Sequence, residues 1–248
     1  MKHRGLFIVF EGLDRVGKTT QVNLLKNNLK DIFKAILSSN MYNNNANVNL
    51  QHFPDRTLES GKKIDMYLKN NTNLDKDTVH NLFADNRKEK TLEIKQNLLK
   101  GDSYICDRYA FSGYAYSLAN GINKDIALNS DKGLLRPDIV IQLDMDIDTI
   151  KERSKFGDER YEIEEIQRKV QINYKEFHNK IYWKVIDANR SFETVQEDII
   201  NLIKELLNNY IFYLKDKKNK DDSQNKLLFN INGYPYDINS DLFNCDSV

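Results

Sequence analysis

The segment Gly12-Leu13-Asp14-Arg15-Val16-Gly17-Lys18-Thr19 fits the pattern G-x-x-x-x-G-K-[ST]. The glycines let the backbone curl so that its N–H groups face an anion. Lys18 can reach the outer phosphates of a nucleotide, and the Thr19 hydroxyl can bind magnesium. ATP phosphates would lie along the loop from Gly12 to Thr20. Two charges sit inside it. Arg15 can reach a transferring γ-phosphoryl group and offset its developing charge. A carboxylate beside a triphosphate is repelled, so Asp14 is expected to point away, toward a hydroxyl or a cation. The loop alone does not name the reaction. Guanine-selective GTPases typically carry Asn-Lys-x-Asp after a strand. After the strand candidate ending at Leu143 this chain reads Asp144-Met145-Asp146-Ile147-Asp148, which does not fit.

Strands and helices must position these groups. Gly5 to Phe10 is a short apolar strand candidate, and Lys18 to Phe33 repeats apolar residues at helical spacing. Further strands are expected at Asn49–Phe53, closed by Pro54, at Ser103–Asp107, at Asp138–Leu143 and at Trp183–Asp187. Helices are expected over Thr57–Lys69, Asp75–Lys100, Tyr109–Asn120, Ile147–Lys155, Glu162–Tyr182 and Thr194–Leu214. Gly101 reads as a helix stop. Strands alternating with helices predict an α/β fold: a P-loop NTPase with a five-stranded parallel sheet, helices on both faces and a short lid at about 153–163. Residues 38–47 carry five asparagines and read as a surface insertion. Residues 1–214 would form the catalytic domain and 215–248 a polar extension.

The chain has 248 residues, with 37 basic and 37 acidic side chains. The balance argues against a nucleic-acid or anionic-membrane binder. No apolar run approaches the roughly 20 residues that span a bilayer, and the N-terminus lacks a signal-peptide pattern. The two cysteines, Cys106 and Cys245, are too few for a disulfide framework. The expected location is cytoplasmic, or also nuclear.

Five segments resemble the thymidylate kinase family, in family order. Glu11 to Gln21 looks like its phosphate loop. Phe53-Pro54-Asp55-Arg56 resembles Phe-Pro-x-Arg, and Leu82-Phe83-Ala84-Asp85-Asn86-Arg87 resembles Leu-Phe-x-x-Asn-Arg. Asp107-Arg108-Tyr109 begins a similar segment, and Phe156-Gly157-Asp158-Glu159-Arg160-Tyr161-Glu162 looks like the lid of the eukaryotic branch. The family is one of nucleoside-monophosphate kinases, commonly homodimers, that use ATP and magnesium. The activity implied is phosphorylation of dTMP to dTDP on the way to dTTP, with tolerance of dUMP or dGMP.

The resemblance also implies roles. Arg15, Lys18, Asp14 and Arg108 would be catalytic, with the arginine in the loop rather than the lid. Thr19 and Asp107 would hold magnesium, Asp107 through water. Arg56 and Arg108 would hold the acceptor phosphate. Asp14 would accept from the sugar 3′-hydroxyl or pair with Arg108. Phe83 would stack on the base, and Arg87, four residues on along one helix, would meet a base carbonyl. Phe53, Ser112, Gly113, Tyr116 and Tyr161 complete the acceptor site, and a bulky aromatic near C2′ would exclude ribonucleotides. Small Ala115 would leave room near the base. Arg153 would stack on adenine, with Ala188 and Asn189 closing over the ring, and Arg160 would be a lid ion-pair partner. The chain departs from the family's Asp-Trp-Cys-Lys-x-Pro-Asp, reading Asp125-Ile126-Ala127-Leu128-Asn129-Ser130-Asp131. Two other readings stand beside this one. A deoxynucleoside kinase would need a carboxylate base after strand two, near Asp55. A non-catalytic regulatory protein would bind ATP without turnover.

Overall fold

Phe7–Glu11 is buried at every position, and so is Ser103–Asp107. Successive strand residues point to opposite faces, so both faces of the sheet centre are covered. The computed structural model describes residues 4–36, 46–153, 157–217, 227–229, 235–237 and 242. Five parallel strands are present: β1 (Phe7–Glu11), β2 (Val48–His52), β3 (Ser103–Asp107), β4 (Ile139–Asp144) and β5 (Trp183–Asp187), in the order β2-β3-β1-β4-β5. β1 lies between β3 and β4, so connections leave it in opposite directions and open a crevice at the strands' carboxyl ends. Register places Phe10 beside Asp107. The phosphate loop and the acidic end of β3 therefore meet in that crevice.

The helices are α1 (Lys18–Ile36), α2 (Glu59–Leu68), α3 (Lys76–Lys100), α4 (Ala110–Ala119), α5 (Lys124–Ser130), α6 (Ile147–Lys151), α7 (Glu164–Tyr174) and α8 (Phe192–Lys217). Asp75 caps α3 by accepting from the Thr78 N–H at 2.9 Å. Gly101 ends it in the left-handed conformation, φ 104°, where other residues are strained. α5 was not expected. It is seven residues long, about two turns, started by the Asn123 side chain on the Asp125 N–H, and too brief to show a period. The helix expected over Glu162–Tyr182 begins later, because residues 157–162 form a turn. It ends at Tyr174, followed by a 3-10 turn at Lys175–Phe177.

Phe111 and Tyr114 of α4, with Tyr109 just before it, serve the core, whereas Tyr116 is only partly buried. Phe111 meets Phe177 and Trp183 edge-on at 5.1 and 5.0 Å, and Tyr109 and Tyr114 are buried. Of the Asn-rich segment, 38–45 lies outside the described residues, as do Cys245 and lid residues 154–156. α8 runs past the expected boundary at 214. Beyond it, β6 (Leu227–Phe229) and β7 (Pro235–Asp237) pair as an antiparallel hairpin. Leu242 is buried in the core, its carbonyl accepting from the Tyr182 hydroxyl at 3.3 Å.

Candidate active site

The loop after β1 turns through Gly12, Arg15 and Gly17, all at positive φ. At Gly12 a Cβ would lie 2.4 Å from the Leu143 carbonyl oxygen, so no side chain fits. Arg15, at φ 66°, pays a backbone strain of about 1 kcal/mol or more to stand where it does. Leu13 and Val16 are buried, which leaves only their backbone to face an anion. Lys18 opens α1, and its ammonium donates to the Leu13 carbonyl at 2.5 Å. Burial, then the Arg108 charge, brings it down to about 8, so it stays mostly protonated at neutral pH.

Thr19 donates its hydroxyl to Asp107 at 2.6 Å. Burial would raise the Asp107 carboxyl, but the His52 ring, at 3.4 Å, and Lys18 outweigh it and hold it well below the usual range. The other carboxylate oxygen, Oδ1, is buried without a hydrogen-bond partner among the described residues. No cluster of three or more His, Cys, Asp or Glu that could cage a metal occurs among them. A hydroxyl beside a carboxylate with one orphaned oxygen suits a cation that keeps its waters and takes phosphate oxygens, as magnesium does.

Asp14 and Arg108 form the centre of the site. Arg108 donates to Asp14 at 2.5 Å, to the Gly12 carbonyl at 3.0 Å and to Ser112 at 3.0 Å. Its own φ is 67°, a second strained position. Asp14 also accepts from the Tyr116 hydroxyl at 2.8 Å and from Gln167 at 2.9 Å. Burial would raise its pKa; Arg108 and then Lys18 reverse that and bring it to about 2. Beneath this layer Glu11 accepts the Tyr109 and Ser112 N–H groups and the hydroxyls of Ser112 and Tyr174. Burial pushes the Glu11 carboxyl up, against the bond from Ser112 and the Arg108 charge.

One cavity of about 1000 Å³, open mouth included, adjoins this centre. Asp14, Phe53, Arg56, Phe83, Arg87, Arg108, Ser112, Gly113, Tyr116 and Tyr161 all line it. Arg87 is held by Asp131 through two 2.9 Å bonds, fully buried. Gly113 is required there, since a Cβ would stand 2.5 Å from the Arg87 guanidinium. Ala115 does not line the cavity. It is buried between α4 and α7, with Asn173 on its carbonyl, because its side of α4 faces the core. Asp55 does not line it either; its carboxylate is tied to Thr57 and Gln51.

The lid closes the outer side. Glu162 is nearly buried and accepts from Arg15 at 2.8 and 3.2 Å. The same carboxylate takes the N–H groups of Gly157, Asp158 and Glu159. Arg160 makes no ion pair in these contacts. It lies over the Tyr67 ring and donates to the carbonyls of Tyr67 and Thr72 and to the Asn73 amide oxygen. Tyr161 packs between the rings of Tyr67 and Tyr116. Beside the phosphate loop Arg153 donates to the Arg15 carbonyl at 2.6 Å and sits 5.8 Å from the Phe192 ring, which also borders Gly17. Ala188 is buried, its N–H on the Asp144 carbonyl.

Sequence reasoning missed Glu11, Asp131, Gln167, Tyr174 and Phe192 as members of this assembly. One had a signal. Asp131 ends the segment that departs from the family pattern, yet it matches that pattern's final aspartate.

A family model described as thymidylate kinase matches residues 10–199. The thymidylate kinase of Plasmodium falciparum is 42% identical over 206 residues, covering 83% of this chain and 92% of that protein. The human thymidylate kinase is 34% identical over 199 residues, covering 79% and 88%. A solved thymidylate kinase from Candida albicans, described as having broad substrate specificity, superposes with a TM-score of 0.71 at 33% identity over 83% of this chain and 93% of that one.

Proposed function

The chain belongs to the thymidylate kinase family, and from that premise we propose how its residues move a phosphoryl group from ATP to dTMP. The supporting observation is that the phosphate loop's Asp14 and the acceptor candidates Arg56, Phe83, Arg87 and Arg108 border one cavity. The ATP phosphates lie along Gly12–Thr20. Thr19 and Asp107 would hold magnesium, which would supply positive charge to neutralise the phosphates when bound. Arg56 and Arg108 take the acceptor's 5′-phosphate. That phosphate is already ionised, so no general base is needed, and no carboxylate after β2 lines the cavity to serve a neutral hydroxyl. Phosphoryl transfer then rests on positioning and charge neutralisation by Arg15 and Lys18.

Phe83 stacks on the base. Asp131 occupies the Nε and Nη2 edge of Arg87, so Nη1 meets the base carbonyl. Asp14 meets the 3′-hydroxyl, and Tyr116 disfavours a 2′-hydroxyl. dUMP and dGMP are tolerated: the cavity continues past Phe83 and Arg87 to Lys76, Val79, His80, Asn120 and Ile122. Arg153 and Ala188 belong to the adenine side. Residues 1–214 are the catalytic domain and 215–248 an extension that returns to it at Leu242. The protein acts as a homodimer in the cytoplasm or nucleus. Exposed Met66, Leu92 and Leu99 on α2 and α3 support an apolar interface, and no described helix is long and apolar enough to cross a membrane.

A coupled ADP-release assay over a panel of monophosphates tests the reading. dTMP turns over fastest, dUMP and dGMP more slowly; equal rates with AMP or CMP would reject it. Light scattering checks the dimer.

A further inference from the structure

Two lid carboxylates, three residues apart, each hold an arginine, and they are bound very differently. Glu162 is nearly buried and accepts from Arg15 and from three backbone N–H groups. Removing it would unmake the lid turn. Glu159 is about one-third exposed, and its carboxylate has a single partner among the described residues, the Arg56 Nη2 at 2.7 Å. It also lines the cavity.

We propose that Glu159 is a placeholder for the acceptor's phosphate, occupying the Arg56 nitrogen that the phosphate takes. The inference rests on Arg56 receiving that phosphate. A carboxylate and a phosphate dianion cannot share one N–H edge, and like charges at contact distance repel. Binding therefore expels Glu159 toward water, where its exposure makes hydration cheap. The other Arg56 nitrogen stays on Asp65, which does not line the cavity and is also held by Lys69 at 2.7 Å. Asp65 thus keeps the guanidinium oriented while its partner changes. The backbone next to Glu159 is pinned: the Arg160 N–H donates to the Leu68 carbonyl at 2.8 Å, and its side chain is clamped on Tyr67, Thr72 and Asn73. The exchange is then a side-chain rotation that leaves the lid turn and the Arg15–Glu162 pair in place.

Calorimetric titration of the full chain with dTMP and with thymidine, which lacks the phosphate, separates the possibilities. Glu159→Gln should bind dTMP roughly fivefold more tightly at low salt, the scale of a partly exposed ion pair. Thymidine affinity should stay within about twofold, and the dTMP gain should shrink as salt rises. Arg56→Ala should bring dTMP affinity toward that of thymidine. If Arg56→Ala does so while Glu159→Gln leaves dTMP unchanged or weaker, the exchange is overturned and the role of Arg56 stands. Equal shifts for dTMP and thymidine in Glu159→Gln would mark a structural role and also overturn it. If Arg56→Ala costs dTMP no more than thymidine, the role of Arg56 itself is lost.

Discussion

The inner and outer walls of the cavity are both built from arginine–carboxylate pairs, yet they differ in how many bonds each charge makes. On the inner wall Arg108 donates to three groups and Asp14 accepts from three side chains. Deeper still, Arg87 and Asp131 are 3% and 1% exposed and joined bidentately. On the outer wall Arg56, with its side chain 36% exposed, meets one oxygen each from Asp65 and Glu159. A buried charge with several partners cannot be released, because its desolvation is compensated only in place. A half-exposed pair can be traded for water or ligand at little cost. The inner wall therefore shapes the pocket, and the outer wall is suited to change partners during a catalytic cycle.

This contrast can be broken most decisively at Arg15. It belongs to the exposed side, with 29% of its side chain open, yet the proposed mechanism assigns it to the transition state. Arg15→Ala should lower kcat by about 10³ with little loss of stability; an unchanged kcat in steady-state assays would remove it from the chemistry. On the inner wall the largest effect should be on folding. Asp131→Ala strands a buried guanidinium and should cost about 3 kcal/mol, lowering Tm by about 6–12 °C in a chain of this size. A thermal shift below about 2 °C would erase the distinction between the walls.

Acid should expose the inner wall next. The Asp14 carboxyl stands at about 2 against an ordinary 3.8. A depressed carboxyl stabilises the fold above its unfolded value and loses that contribution as pH falls through the folded one. The difference is worth about 2 kcal/mol, present above about pH 4 and gone near pH 2. In urea unfolding, the gap between wild type and Asp14→Asn should therefore close across that window; a gap independent of pH would place its origin elsewhere. The smallest effect is the roughly fivefold tightening expected of Glu159→Gln, and it should vanish in high salt while the Asp131 effect persists.

What the sequence determined by itself was local. The phosphate loop, its flanking strand and helix, the capped ends of α3 and the apolar periods of α1 and α8 follow from backbone sterics and side-chain spacing within a few residues, whereas α3 shows no such period, its Leu92 and Leu99 being exposed. The sharing of one helix face by Phe83 and Arg87 follows likewise. Tertiary structure decided the rest. Glu162 reaches Arg15 across 147 positions, Gln167 reaches Asp14 across 153 and Tyr174 reaches Glu11 across 163. Asp131 finds Arg87 across 44, from the C-terminal cap of a helix too short to announce itself. A charged or polar residue in a turn reads alike whether it meets water or a buried arginine. Its partner is chosen by the order of strands in the sheet and the helices that cross it, and no spacing along the chain encodes that choice.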